Sequence, residues 1–377
     1  MAKKLKWGMI GGGGSSLIGV LHRVASSMYD QYELVGGSFQ TNPEKNRAFG
    51  NSLGLAEDRI YDNFDAFITG ETARPNQERI EVVSVLTPNY LHYEMAKTLL
   101  KHEFHVICEK PLTTTFEQAQ ELSELFANKE SIFAVTYTYT GYPMVRQMKQ
   151  MIADGEIGDI QKVDIQYYQG WINPVIHDAT ARANTWRLNP EQSGASCCVG
   201  DVGTHGFDML EYVTGMQVKQ VLADLNYLYD DNPLDIDGTV LLRFGNKVKG
   251  VLRASQIATG EENNFTVSIY GKTGGLKWEQ ENPNYLYLRR DGKPMVTLKP
   301  GNLYLSDIAQ EGAKLPAGHP EGIFDSMGNI YKGVARAING ETHHEMEFPT
   351  LHDGVRGMQF INRVVSSHKE GNVWKTM

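Results

Sequence analysis

The chain has 377 residues, 41% of them hydrophobic and 21% charged, with a formal net charge of −9. At roughly 100–200 residues per domain this length suits two domains, and the composition is that of a globular chain with a sizeable core. The acidic balance argues against nucleic-acid and anionic-membrane partners, and no run approaches the ~20 apolar residues of a membrane span.

Lys3, Lys4 and Lys6 stand before an apolar run too short for a secretory signal. The three cysteines, Cys108, Cys197 and Cys198, have no paired spacing, and the adjacent two could bridge only with strain. A reduced interior and a cytoplasmic location are therefore expected.

In chain order, Lys6–Ile10, Leu34–Ser38, Val82–Leu86, His105–Cys108 and Phe133–Thr136 read as buried strands. Between them Leu17–Tyr29, Pro43–Leu53, Asn89–Lys101 and Phe116–Asn128 read as helices. This alternation predicts a doubly wound parallel sheet, a Rossmann domain over residues 1–140.

Beyond Gly141 the pattern changes. Pro143–Asp154 reads as helix, Ile160–Tyr168 as strand, and Trp171–Cys198 as a long aperiodic span. Asp201–Thr214 reads as helix; Val218–Asn226, Thr239–Phe244, Val248–Ser255 and Phe265–Tyr270 read as consecutive strands. Helical segments Gly322–Asn339 and Asp353–His368 close the chain, the latter packing Val355, Met358, Ile361, Val364 and Val365 into the core. Residues 141–377 are thus expected to form a second, α+β domain with a large, mainly antiparallel open sheet.

The first strand runs into Gly11-Gly12-Gly13-Gly14-Ser15-Ser16 and then a helix. Gly11 and Gly13 suit the first two positions of a dinucleotide fingerprint, where the backbone must approach a pyrophosphate at a helix N-terminus. The third position falls at Ser16, with Gly19 further on, so the match is degenerate. Strand two ends at Ser38 without the acidic residue that binds ribose hydroxyls, which permits NADP; Lys45 and Arg47 are the nearest cations. NAD or NADP therefore remain alternatives.

Three further motifs carry chemistry. Thr87-Pro88-Asn89-Tyr90-Leu91-His92 follows the third strand, and Glu109-Lys110-Pro111 follows the fourth, both at carboxyl ends where open α/β sheets bind ligands. Gly200-Asp201-Val202-Gly203-Thr204-His205-Gly206-Phe207-Asp208 lies in the second domain. Oxidising a carbinol requires loss of the hydroxyl proton as hydride leaves. Imidazole, with a pKa of roughly 6.5, makes His205 a candidate base. Asp201, four residues earlier, would share its helical face and could orient the imidazole, anchor a hydroxyl or merely cap the helix. Lys110 can hold the substrate oxygen as it becomes carbonyl-like, or take the proton itself. Asp201 and His205 alone are too few ligands for a metal, and none is expected.

Around this core, Trp186 and Arg187 suit an aromatic wall and a hydroxyl donor, although Arg187 could equally form a structural salt bridge. Tyr137, Tyr139 and Tyr142 could line a cleft or simply pack. The pairs His343-His344 and Cys197-Cys198 read as ordinary local sequence.

These motifs together resemble the Gfo/Idh/MocA family, named for glucose–fructose oxidoreductase, inositol dehydrogenase and a rhizopine-catabolism protein. The resemblance covers essentially the whole chain, and its most specific parts are Glu109-Lys110-Pro111 and Gly200–Asp208. It implies an NAD(P)-dependent dehydrogenase acting on a secondary hydroxyl of a sugar, anhydrosugar, glycoside or cyclitol. It implies dinucleotide contacts from Gly11, Gly13, Ser15, Ser16, Ser38, Thr87, Pro88, Asn89, His92, Glu109 and Lys110. Lys110 would lie beside the nicotinamide, with Asp201 and His205 facing the substrate. Tyr139, Trp186, Arg187 and His319 would add substrate contacts, His319-Pro320 resembling an element of sugar-oxidising relatives. The open sheet would support a homodimer or homotetramer. Two other activities fit the same fold: an NAD-dependent glycosidase with no net redox change, and a non-catalytic cofactor-binding regulator.

Overall fold

The computed structural model describes residues 4–245, 247–341 and 348–377. Lys3 and the His343-His344 pair lie outside the described residues. The chain divides into two compact units. The first comprises Met1–Thr113, Glu117–Thr138 and Met327–Val355; the second comprises Thr114–Phe116, Tyr139–Ser326 and Arg356–Met377.

In the first unit, β1 (Leu5–Gly11), β2 (Tyr32–Ser38), β3 (Val82–Leu86), β4 (His105–Cys108) and β5 (Phe133–Val135) form a parallel sheet. Their order is β2-β1-β3-β4-β5. The connecting helices are α1 (Leu17–Ser27), α2 (Pro43–Ser52), α3 (Phe64–Thr72), α4 (Asn89–Lys101) and α5 (Phe116–Phe126). The sheet forms because its strands are continuous apolar runs. Every residue of β3 is buried, and each Val so removed from water contributes about 1.5–3 kcal/mol. Side-chain caps start the helices: Ser16 Oγ accepts from Gly19 N, Asn42 Oδ1 from Lys45 N, and Asn63 Oδ1 from Ala66 N. The strand order reverses direction at β1, so the crevice between β1 and β3 is the topological switch point.

Helix α3 has weak local signals, because Gly70 interrupts it. That glycine is required by packing: a Cβ there would sit 2.4 Å from the Tyr61 ring. The segment Met327–Val355 departs from a single boundary at residue 140, since it packs with the first unit. Tyr331 explains this. Its ring stands edge-on to Trp7, His22 and Tyr32 at centroid distances of 5.8, 5.7 and 5.2 Å. Farther along, the Pro349 carbonyl accepts from Val135 N.

The second unit is built on nine described strands: β6 (Ile160–Tyr168), β7 (Val218–Asn226), β8 (Asp237–Phe244), β9 (Lys249–Ser255), β10 (Asn264–Gly271), β11 (Gly275–Glu279), β12 (Leu286–Arg289), β13 (Val296–Leu298) and β14 (Lys375–Thr376). They are ordered β13-β12-β11-β10-β6-β9-β8-β7-β14, antiparallel except for the β6–β9 pair. One face buries Val163, Ile165, Leu252, Val267 and Ile269. The helix Thr204–Thr214 lies on that face, where a Cβ on Gly206 would come within 3.0 Å of Ile165 and 3.1 Å of Leu252. Phe207 of this helix stacks on Phe360 at 4.4 Å, which ties down the C-terminal helix Leu351–Lys369. Of the residues expected on that helix's apolar side, Met358, Ile361, Val364 and Val365 are buried.

The opposite face alternates with the core and is open. Cross-strand pairing places Tyr270, Lys162, Lys249 and Arg243 in one row, and Ser268, Asp164, Val251 and Leu241 in the next. Strands β11 to β14 escape the sequence reading because they are short and lie toward the sheet edges, where flanking polar residues blur alternation.

Candidate active site

The glycine turn leaves β1 through Gly11, Gly12 and Gly14 at φ of +83°, +71° and +62°, a region that favours glycine. The close approach of helix to turn is made at Gly19, not Ser16: a Cβ on Gly19 would lie 1.8 Å from the Gly12 carbonyl oxygen. Ser16 is instead the α1 cap. The third fingerprint position is therefore displaced along the chain, and Gly19 was the available signal. Gly13 sits against the β2 exit, its N–H donating to the Phe39 carbonyl. Helix α1 has no acidic residue in its first turn, where N–H groups lack intrahelical acceptors. Such a turn fits the pyrophosphate of a dinucleotide. Ser15 is exposed and Ser38 is buried at the end of β2. Beyond Ser38, Asn46 Oδ1 accepts from both Phe39 N and Gln40 N and holds the strand exit open, a role with no local motif. Arg47 pairs with Asp62 at 3.2 Å.

The second and third loops are held together by His92. It is fully buried, with Nδ1 2.9 Å from the Pro111 carbonyl oxygen and Nε2 2.8 Å from that of Thr87. Burial lowers its pKa. His92, a residue expected near the dinucleotide, thus stands between the two loops, within hydrogen-bond distance of a carbonyl on each. Pro88 caps α4, Asn89 opens it, and Thr87 Oγ1 lies 3.7 Å from Met95 Sδ. Glu109 is also buried: Oε1 lies 2.9 Å from His22 Nε2, and Oε2 accepts from Lys110 N at 3.2 Å. Lys110, next along, is half-buried.

In the second unit, the helix expected over Asp201–Thr214 begins earlier and differently, as a π-helical turn Val199–Gly203 followed by α-helix. Buried Asp235 organises this start: its carboxylate accepts from Cys197 N and Val199 N, and its carbonyl accepts from Cys198 N. Asp201 Oδ2 accepts from Gln256 Nε2 at 2.8 Å and lies 3.4 Å from Arg187 Nε. The Arg187 guanidinium lies over the Trp186 ring at 4.6 Å and the Trp171 ring at 5.7 Å. The aperiodic span that carries these residues is anchored by an apolar cluster of Ile172, Ile176, Leu188, Cys197, Leu234 and Ile236. Trp171 and Gln256 were not singled out by sequence: Gln256 follows β9, some 55 residues from its partner, with no motif around it.

His205 is buried, with Tyr139 edge-on to it at 4.8 Å and Tyr167 tilted at 6.2 Å. The Tyr139 and Tyr167 hydroxyls are 2.5 Å apart, and Tyr167 donates to Asn263 Oδ1 at 2.7 Å. Burial raises the pKa of both phenols, so both remain donors. Tyr139 thus presents its ring to His205 while its hydroxyl serves this string. Tyr137 and Tyr142 are fully buried, in keeping with packing. His319 stands exposed on a loop, with Nδ1 3.2 Å from the Pro316 carbonyl oxygen. Among the described residues, no group of three or more His, Cys, Asp or Glu could hold a metal ion, and no helix is long and apolar enough to cross a membrane.

Comparison with known proteins decides the family. Residues 5–137 match the model of an oxidoreductase family with an NAD-binding Rossmann fold, and residues 145–277 match the GFO/IDH/MocA C-terminal domain. The chain belongs to the Gfo/Idh/MocA family. It is 34% identical to the uncharacterized oxidoreductase YfiI of Bacillus subtilis, over 99% of this chain and 97% of that one. It is similar in structure to an inositol dehydrogenase homologue from Azotobacter vinelandii complexed with NAD+, with a TM-score of 0.94, 32% identity, and 100% and 98% of the two chains covered. The same homologue complexed with NADH and myo-inositol superposes with a TM-score of 0.92 at the same identity and coverage. This Gfo/Idh/MocA chain is accordingly an oxidoreductase whose cofactor is a nicotinamide dinucleotide, NAD or NADP, and the glycine turn described above is consistent with that ligand.

Proposed function

We propose that this protein oxidises a secondary hydroxyl of a sugar or cyclitol to a ketone, with His205 taking the hydroxyl proton and Lys110 serving the reacting oxygen. The observation that carries the reading is the group on the second unit: Asp201, held by Gln256 and Arg187, on the π-helical turn that leads into the helix of His205, with Trp171 and Trp186 beside the guanidinium. A carboxylate and a guanidinium bind vicinal hydroxyls, and indole faces accept the C–H face of a ring. The myo-inositol bound by the Azotobacter homologue is a ligand of this chemistry.

The nicotinamide supplies the hydride acceptor. His205 accepts the hydroxyl proton, and Asp201 anchors a neighbouring hydroxyl. Lys110 stabilises the oxygen as the carbonyl forms. The backbone of Gly11, Gly13, Ser15 and Ser16, with Ser38 and the Thr87–Asn89 and Glu109–Lys110 turns, holds the dinucleotide. His319 contributes a substrate contact. The open sheet face supports a homodimer or homotetramer.

The test is a screen of inositols, hexoses, pentoses and anhydrosugars with NAD and NADP separately, read at 340 nm. Turnover is expected with at least one polyol. Lys110→Ala and His205→Ala are each expected to lower kcat at least ~100-fold while dinucleotide binding survives. Unchanged turnover in both variants overturns the residue assignment. Cleavage of a glycoside without absorbance change overturns the net oxidation.

A further inference from the structure

A buried hydrogen-bond chain runs through the first unit beneath Lys110. Trp7 Nε1 lies 2.8 Å from Ser84 Oγ, Ser84 Oγ 2.8 Å from Tyr331 Oη, Tyr331 Oη 2.6 Å from His22 Nδ1, and His22 Nε2 2.9 Å from Glu109 Oε1. Ser84 and His22 are fully buried and Tyr331 nearly so.

Indole N–H can only donate, so Ser84 Oγ accepts from Trp7, and an ionised carboxylate can only accept, so His22 Nε2 donates to Glu109. Between these ends the Ser84 and Tyr331 hydroxyls and His22 Nδ1 are each within hydrogen-bond distance of the next member.

The elements joined are telling. His22 lies on α1, the helix that starts at the glycine turn; Glu109 opens the turn that carries Lys110. Glu109 Oε2 accepts from the Lys110 backbone N–H, so the carboxylate is fixed on one side by His22 and grips the Lys110 backbone with the other. Replacing His22 would leave that buried carboxylate oxygen without the ring nitrogen that meets it.

We propose that His22 is a positioning residue: through Glu109 it fixes the Lys110 backbone in register with the glycine-turn helix. The proposal rests on Lys110 having the catalytic part assigned above. The groups facing Glu109 are His22 from α1, Tyr331 from the returning segment, His92 from α4, Thr136 after β5, and Cys108 and Lys110 beside it in sequence. Burial alone would raise the Glu109 carboxyl, but the His22 hydrogen bond and charge, with Thr136 and Lys110, outweigh it and hold its pKa below the ordinary value.

The experiment compares the full-length wild type with His22→Leu and His22→Gln. Gln can accept from Tyr331 and donate to Glu109, whereas Leu can do neither. Carbon-13 NMR titration of the Glu109 carboxyl, assigned by its loss in Glu109→Gln, reads the coupling without any substrate. It is expected to titrate at higher pH in His22→Leu and near the wild-type value in His22→Gln. With the polyol that the screen identifies, His22→Leu is expected to lower kcat about 10- to 100-fold, leave KM for the dinucleotide within about threefold, and move the acidic limb of the kcat profile to higher pH, with His22→Gln restoring most of it. A Glu109 titration unaltered in His22→Leu, or a loss in that variant that Gln does not rescue, overturns the proposal. Should the screen find no polyol turned over, the functional reading fails and the carboxyl titration still decides the His22–Glu109 coupling.

Discussion

Single atoms decide several features of this protein, and Gly19 is the sharpest case. A methyl group there would lie 1.8 Å from the Gly12 carbonyl oxygen, well inside any real contact, so α1 would have to move away from the turn. Gly19→Ala is expected to cost about 1–3 kcal/mol of stability, as overpacking does, and to weaken dinucleotide binding more than it changes kcat. Thermal melting and fluorescence titration with NADH check this; unaltered affinity would mean the turn does not hold the pyrophosphate. The contrast with Gly54, whose added Cβ meets nothing within 4 Å, shows that glycine count alone does not identify the turn. Asp201 illustrates the same scale differently. Its carboxylate is half-shielded, and the Arg187 ion pair at 3.4 Å contributes on the order of 1 kcal/mol or less in such exposure. Its fixed orientation comes instead from the fully buried Gln256.

Among elements, the helical start at Val199–Gly203 depends on one buried acid. Asp235 accepts from Val199 N at 2.8 Å and Cys197 N at 3.1 Å, and so satisfies N–H groups that the helix itself cannot. Burial raises its pKa despite these bonds and the Ser196 hydroxyl, which pull the other way. A carboxyl whose folded pKa is raised contributes stability that is fully present below its unfolded value, near 3.9, and is lost as pH rises through the raised folded value. Asp235→Asn removes that titration and turns an amide N–H toward one of the backbone donors. The wild type is therefore expected to melt above the variant, with the gap largest near pH 4 and narrowing toward pH 7. A gap that widens with pH would contradict the assignment. The same start positions Asp201 and His205, so the variant is also expected to lose turnover.

At the largest scale, the nine-stranded sheet of the second unit presents one face of mixed character. Its open face mixes apolar and charged side chains: Leu241 and Tyr270 are each 43% exposed, beside Val251, Lys162, Lys249 and Arg243, with Arg253 and Asp164 paired at 2.5 Å. A wide sheet face with exposed leucine and tyrosine is suited to pairing with a second copy. Sedimentation velocity is expected to show a dimer or tetramer, and Leu241→Arg to shift it toward smaller species with little change in the melting of the protomer. A wild type that sediments as a monomer throughout the micromolar range would remove this role from the sheet.

The parallel first sheet, the strand-rich second unit, and the turns bearing Lys110, Asp201 and His205 are legible in the chain's order of residues, because each is written in a contiguous stretch. Unbroken apolar runs such as Val82–Leu86, alternation such as Asp237–Phe244, and glycines after β1 act over distances of a few residues. Long-range folding set the rest. It made Gly19 the close-approach glycine, returned Tyr331 to a ring of Trp7, His22 and Tyr32, gave Asp201 the partner Gln256, and set His92 between the carbonyls of two loops. Most of those partners are separated by tens to hundreds of residues, and even His92, near Thr87 in sequence, gains its meaning from Pro111. A hydrogen bond or a van der Waals limit is set by proximity in space, and no local pattern of residue types records which distant atoms folding will bring within 3 Å.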